Sequence, residues 1–342
     1  MSEKSDLLAS IAKTISGYRA GEIVQPADHV GRWAGQFTSA NLVPFLREFD
    51  HVIRQSYLTE KVVGEFLAKV VSTEKLAGKS PKAYWSRANF LRIQKAGQSQ
   101  KSMLGQFGSI LLEQFGLNIA KCGSDDGDFI YLDDVIFSGG RVGDDLKSWI
   151  IDKAPNNANV HVIVLAYYRY GEYSAKNNVQ KAIREAAKNI RITFWRLHEL
   201  ENRKFYKDSS DVLWPTTVPQ LPDVEAYVAS EKRFPLEPRK PGGPLGMFSS
   251  EHGRQILESE FLIAGVKIRS LTQTPKDVIR PLGLGHFGVG FGSLIATYRN
   301  CPNNCPLGIW WGDPKATSGA LHWYPLLPRK TYASAENCFN AF

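Results

Sequence analysis

The stretch FIYLDDVIFSGGRVGDD, Phe129 to Asp145, decides how this chain is read. Four apolar or aromatic residues, Phe129 to Leu132, predict a buried strand. Asp133 and Asp134 follow, at what this reading makes the strand's carboxyl end. Beyond Phe137 comes Ser138-Gly139-Gly140, and a helix is expected to start near Val142. In open parallel sheets, ligands bind past the carboxyl ends of the strands. A glycine turn that leads into a helix exposes unpaired backbone N–H groups, which suit an anion. One short segment therefore offers acceptors for hydroxyls or a metal beside donors for a phosphate. A phosphorylated sugar presents those groups at that separation. An acid pair capping an ordinary strand and turn is spelled the same way.

Outward from this segment, strand and helix patterns alternate from about Ala83 to Leu200. Phe90 to Ile93 reads as a short strand, and Val160 to Tyr168 (VHVIVLAYY) as the strongest buried strand; Ile192 to Trp195 is a further one. Helices are expected over Met103 to Phe115, Asp144 to Ile151 and Val179 to Ile190. Such alternation implies a parallel sheet with right-handed crossovers. Residues 1–82 read as a helical region, with Asp28 as an N-cap for a helix through Phe37 and with Leu42, Phe45, Phe49 and Ile53 on one face. Residues 201–245 are a proline-rich connection ending in PRKPGGP. Residues 246–342 form a glycine- and aromatic-rich α+β region, opened by a helix from Ser249 to Ala264 that Gly265 stops. The expected class is α/β, with a parallel-sheet core over residues 83–200.

Composition narrows the setting. No apolar run approaches the roughly 20 residues of a membrane span. The mixed-charge start MSEKSDLLASIAKTI is unlike a signal peptide. Four cysteines in 342 residues give no disulfide framework, so a cytoplasmic location is expected. A net charge of +8 suits a polyanionic partner and occurs also without one.

The Phe129 segment resembles the signature of type I phosphoribosyltransferases: four apolar residues, an acidic pair, two apolar residues and a small-residue turn. The resemblance implies that Asp133 and Asp134 hold the ribose hydroxyls of phosphoribosyl pyrophosphate, directly or around magnesium. It also implies that Phe137 to Val142, including Ser138, Gly139, Gly140, Arg141 and Val142, wrap the 5′-phosphate. Two positions depart. Tyr131 is larger than the usual aliphatic residue, and Phe137 stands where many members carry Thr or a base-acting Asp. That argues against purine-type base catalysis and leaves sugar binding untouched.

In this family a loop upstream of the motif closes over pyrophosphate. FLRIQKAGQSQKSML, Phe90 to Leu104, occupies its place here. Arg92, Lys95 and Lys101 become candidate catalytic cations, because the leaving group's growing negative charge is what catalysis must stabilise. The same residues also read as a solvated hairpin loop. Arg169, in YYRYGEY, holds the place near the base in orotate-type members and equally reads as a surface charge. No counterpart of the usual pyrophosphate-binding turn is evident.

Over most of the chain, WAGQF, the Gln/Ser loop, the acid pair and the tail TYRNCPNNCPLGIWWGD with WYPLLPR resemble the prokaryotic family called PRTase-CE. That resemblance implies a phosphoribosyltransferase-like effector of anti-phage defence, in some cases beside nucleic-acid-handling partners. A non-catalytic nucleotide sensor or scaffold is the alternative.

Other signals are weaker. GLGHFG, Gly283 to Gly288, spells a dinucleotide fingerprint but follows Pro281 rather than a strand. Cys301 and Cys305 lack the second Cys/His pair that a closed zinc site needs. His252, His286 and His322 join no catalytic constellation, and Trp310, Trp311, Trp323 and Tyr324 read as base-stacking or core.

Overall fold

The computed structural model describes residues 2–95, 98–272, 275–285 and 288–329. The chain begins with α1 (Glu3–Thr14), α2 (His29–Ala34) and α3 (Leu42–Ser56). Apolar residues recur three and four apart along α3, so Phe45, Leu46, Phe49, Val52 and Ile53 are all buried. Asp28 stands at the N-cap of α2 but makes no capping bond, and the helix stops at Ala34, short of Phe37. Phe37 turns inward instead, stacked on Phe45 with ring centroids 4.3 Å apart. A two-residue strand, β1 (Tyr57–Leu58), follows.

Next come α4 (Glu60–Ser72), α5 (Glu74–Ala77), α6 (Pro81–Arg87), β2 (Asn89–Phe90), α7 (Ser99–Phe115), β3 (Phe129–Ile136), α8 (Gly140–Asp152), β4 (Asn157–Tyr168), α9 (Arg169–Glu185) and β5 (Asn189–Leu200). The four strands form one sheet in the order β2-β3-β4-β5, parallel throughout. Its α/β class is the expected one. Several boundaries are not. β3 continues past Leu132 because the long β4 keeps offering it partners, from Phe129 opposite Val160 to Ile136 opposite Tyr167. Both aspartates therefore lie inside the strand.

All three core helices begin earlier than apolar periodicity predicts: α7 at Ser99, α8 at Gly140 and α9 at Arg169. Their first turns (SQKS, GRVG, RYGE) are polar or small, so they carry little apolar signal. Ile190 belongs to β5 rather than to the preceding helix, which ends before Ala187, a residue at φ 51°. Val142, Leu146, Trp149 and Ile150 of α8 pack with Val179, Ala182 and Ile183 of α9 over Tyr131, Val160, Val162 and Val164 of the sheet.

The remainder carries α10 (Pro222–Ser230), α11 (Glu251–Ser270), β6 (Ile279–Arg280), β7 (Gly283–Leu284), β8 (Ala296–Thr297) and α12 (Leu307–Trp310). β8 pairs with β1 in parallel, and β6 with β7 antiparallel. Ser250 caps α11, accepting from the Gly253 amide. The helix then runs through Gly265 instead of stopping there. A Cβ at Gly265 would lie 2.4 Å from the Cα of Pro281, so this glycine permits a close crossing. Trp310, Trp311 and Trp323 are buried. Residue contacts divide the chain into two compact units, Lys61–Arg203 and Met1–Glu60 with Lys204–Phe342. Among the described residues, no helix is long and apolar enough to cross a membrane.

Candidate functional site

Asp133 is fully buried in the second half of β3, with three strand residues still to follow, and Asp134 is partly buried. Each carboxylate holds the next backbone amide: Asp133 Oδ1 accepts from Asp134 N at 2.9 Å, and Asp134 Oδ1 from Val135 N at 2.8 Å. Arg141 approaches both, with Nη2 at 3.4 Å from Asp133 Oδ2 and 3.9 Å from Asp134 Oδ1. The Ser99 hydroxyl, at the start of α7, donates to Asp133. Burial pushes the Asp133 carboxyl up to about 7, and the neighbouring Asp134 charge adds to that; Arg141, Ser99 and the Asp134 amide oppose it. Asp133 in turn holds the Arg141 guanidinium above its ordinary range.

The turn that follows is fixed by close backbone contact. Gly139 sits at φ 79° as the N-cap of α8, and a Cβ there would lie 2.0 Å from the Gly171 carbonyl oxygen. A Cβ at Gly171 would meet the Phe137 carbonyl oxygen at 2.0 Å, so the turn is threaded against the first turn of α9. Gly140 differs, because a Cβ there would meet only Ser138 Oγ, at 3.7 Å. No side chain caps the α8 N-terminus, where Arg141 is exposed and Val142 is buried in the core. The Phe137 ring stacks on Tyr168 at 5.7 Å.

Arg92 and Lys95 are exposed in the segment after β2; Lys101 is exposed in the first turn of α7 rather than in a loop. Ala96 and Gly97, part of the expected pyrophosphate loop, lie outside the described residues. Buried Gln100 shapes this segment: its Oε1 accepts from Ile93 N at 2.8 Å and Gln94 N at 3.1 Å, while its backbone N–H donates to Gln94 Oε1. Lys95 Nζ donates to Ser148 Oγ at 2.8 Å, and its amide to Asp145 Oδ1 at 3.4 Å. The Tyr131 hydroxyl donates to Asp145 Oδ2 at 3.1 Å. Burial raises both the Tyr131 and the Asp145 pKa. The unusual size of Tyr131 is thereby explained, since it pins α8 beside the acid pair.

The structure thus joins Asp133, Asp134 and Arg141 directly, with Lys95 linked to the same helix. Arg169 reaches the same sheet edge but pairs with Glu199 of β5, which also accepts from Tyr167 Oη at 2.7 Å. Sequence reading missed Ser99, Gln100 and Asp145. Of these, only Asp145 left a trace, through the oversized Tyr131 that it binds.

Outside this site, Cys301 and Cys305 are buried free thiols, and His252 and His322 are exposed. Gly283 and Leu284 form a bridge with Ile279 and Arg280; His286 lies outside the described residues. Among the described residues, no three His, Cys, Asp or Glu side chains gather as a metal site. The two adjacent carboxylates fit a cation of another kind: magnesium takes one or two carboxylates, keeps water and draws its remaining ligands from phosphate.

A parallel strand carrying an acid pair, then a glycine turn and a helix N-terminus, is the arrangement expected of a phosphoribosyltransferase-like protein. The family model described as PRTase-CE matches residues 30–329, and the chain belongs to that family. No curated protein and no solved structure matches the chain.

Proposed function

We propose that the carboxyl edge of the sheet binds phosphoribosyl pyrophosphate with magnesium, and that the protein transfers or hydrolyses the phosphoribosyl group in bacterial anti-phage defence. The observation that carries this reading is the Asp133-Asp134 pair, with Asp133 fully buried, just ahead of the turn that opens α8. Asp133 and Asp134 accept the ribose hydroxyls and steady the sugar while positive charge grows at its anomeric carbon. The Ser138 hydroxyl and the first-turn amides of α8 anchor the 5′-phosphate. Arg92, Lys95 and Lys101 attend the pyrophosphate as it gains charge. Magnesium, held by Asp133 and Asp134 together with phosphate oxygens, would supply charge neutralisation of the leaving group. Arg169 stands at the same edge, toward the acceptor.

A second reading, a non-catalytic nucleotide sensor or scaffold beside a nucleic-acid-handling partner, draws on one observation. Arg141 already satisfies part of the acid pair's demand for positive charge. Incubation with phosphoribosyl pyrophosphate and magnesium, followed by assay of pyrophosphate release and calorimetric binding, decides between them. Release that disappears with Asp133→Asn/Asp134→Asn supports the enzyme. Tight binding without release, with any partner supplied, supports the sensor. No binding overturns both.

A further inference from the structure

Arg141 lies within the segment that the proposed reading gives to the sugar phosphate, yet its guanidinium turns back to the carboxylates. Its Nη2 stands 3.4 Å from Asp133 Oδ2 and 3.9 Å from Asp134 Oδ1, where a cation shared by both carboxylates would place its charge. Two positive groups cannot occupy that position together. The members of the pair differ in freedom. The Asp133 side chain is 0% exposed and its other oxygen is engaged by the Asp134 amide, whereas the Arg141 side chain is 45% exposed. Its approach is also longer than the roughly 2.7–2.9 Å of a well-formed charge-assisted bond. The arginine is therefore held by charge more than by geometry, and it is the member that can leave.

Resting on the reading above, we propose that Arg141 is the acid pair's resident counter-cation, which a divalent cation must displace to reach Asp133 and Asp134. The acid pair then has low affinity for free metal, and the cation enters with a phosphorylated ligand rather than ahead of it. The role belongs to this chain's own arginine and extends the site without adding a step to the reaction.

The test titrates manganese alone, as a magnesium probe, into the full chain and reads binding by calorimetry and by electron paramagnetic resonance. Arg141→Ala is expected to bind manganese about ten- to a hundredfold more tightly than wild type, the equivalent of one charge-assisted hydrogen bond no longer in competition. Adding Asp134→Asn to that variant should abolish the gain. An affinity within a factor of about two of wild type overturns the proposal. So does a gain that survives Asp134→Asn, because the cation would then sit elsewhere. If Arg141→Ala fails to fold, Arg141→Gln keeps most of the side chain without the charge and reads the same quantity. Ribose 5-phosphate binding to wild type without metal tests the sugar-phosphate reading separately. Sound sugar-phosphate binding beside a flat manganese response overturns this proposal and leaves that reading standing.

Discussion

Glu258 and Asp133 are both buried carboxylates served by arginine, one on α11 and the other on β3, and they are served in opposite ways. Glu258 accepts from Arg239 Nε at 2.9 Å and Nη2 at 3.0 Å, from Arg254 Nε at 2.9 Å and from the Trp214 amide at 3.1 Å. Both arginines are as buried as the acid, and Arg254 also donates to Ser210 Oγ and the Val212 carbonyl. Asp133 has one distant, half-exposed arginine and a second carboxylate next door. The first cluster satisfies its charges and locks the segment after residue 204 onto α11. The second leaves demand for positive charge unmet, as the proposed binding site requires and a structural ion network does not.

The largest effect should come from breaking the satisfied cluster. Glu258→Ala would leave buried Arg254 without a carboxylate and Arg239 with Glu251 alone, and breaking a buried pair from one side costs about 3–5 kcal/mol. Chemical denaturation should show that loss, or the protein should fail to accumulate. A loss under about 1 kcal/mol would place Glu258 with ordinary surface ion pairs and dissolve the contrast.

Next in size is the turn beside the acid pair, fixed by close backbone contact. Gly139→Val combines a left-handed φ with a clash against the Gly171 carbonyl, so a loss of about 2–3 kcal/mol is expected. Gly140→Val meets no backbone and should cost roughly 1 kcal/mol or less in the first turn of α8. Equal melting temperatures for the two variants would contradict this difference. The comparison also moves the strict glycine requirement from the pair as a whole to Gly139.

Asp133→Asn sharpens the contrast through pH. The folded pKa of Asp133, about 7, lies above its unfolded value of about 3.9, so the folded chain holds an extra proton between them. Stability from this group is present below about pH 4 and is lost as pH rises through about 7. The asparagine variant cannot lose it. In magnesium-free buffer its advantage over wild type should grow from nil near pH 4 to at most about 4 kcal/mol above pH 7. A variant less stable than wild type at high pH would mean that Arg141 fully offsets the buried charge.

The parallel core was legible because β4 is apolar on both faces and the helices between strands are amphipathic. The acid pair and glycine turn were legible because their residue types are unusual in succession. Helix starts were hidden, since SQKS, GRVG and RYGE are mostly polar or small and carry little apolar rhythm. Gly265 misled for a related reason: a glycine that lets Pro281 approach is spelled like one that ends a helix. Arg141 was visible as part of the phosphate turn, but its direction depends on α8 beginning at Gly140, which places it next to the carboxylates rather than outside them. Arg169 shows the converse. Its position at the sheet edge was readable, while its partner Glu199 lies thirty residues on, in another strand.

The smallest effect concerns Lys95, at the rim of the open site. Its amine donates to Ser148 Oγ, an exposed contact between flexible groups, so Lys95→Ala should change stability by less than about 1 kcal/mol. Its value is diagnostic. If Lys95 attends departing pyrophosphate, its charge matters more as that group gains negative charge than in the bound ground state. Turnover should then fall roughly tenfold or more, while phosphoribosyl pyrophosphate affinity shifts only a fewfold. Lys101 stands on a different element, α7, so the two alanine variants need to be compared singly as well as together. Pyrophosphate release at saturating substrate, set beside calorimetric binding, measures the split. Equal loss in both quantities would assign Lys95 to uniform binding, and no change in either would leave it a surface contact to Ser148.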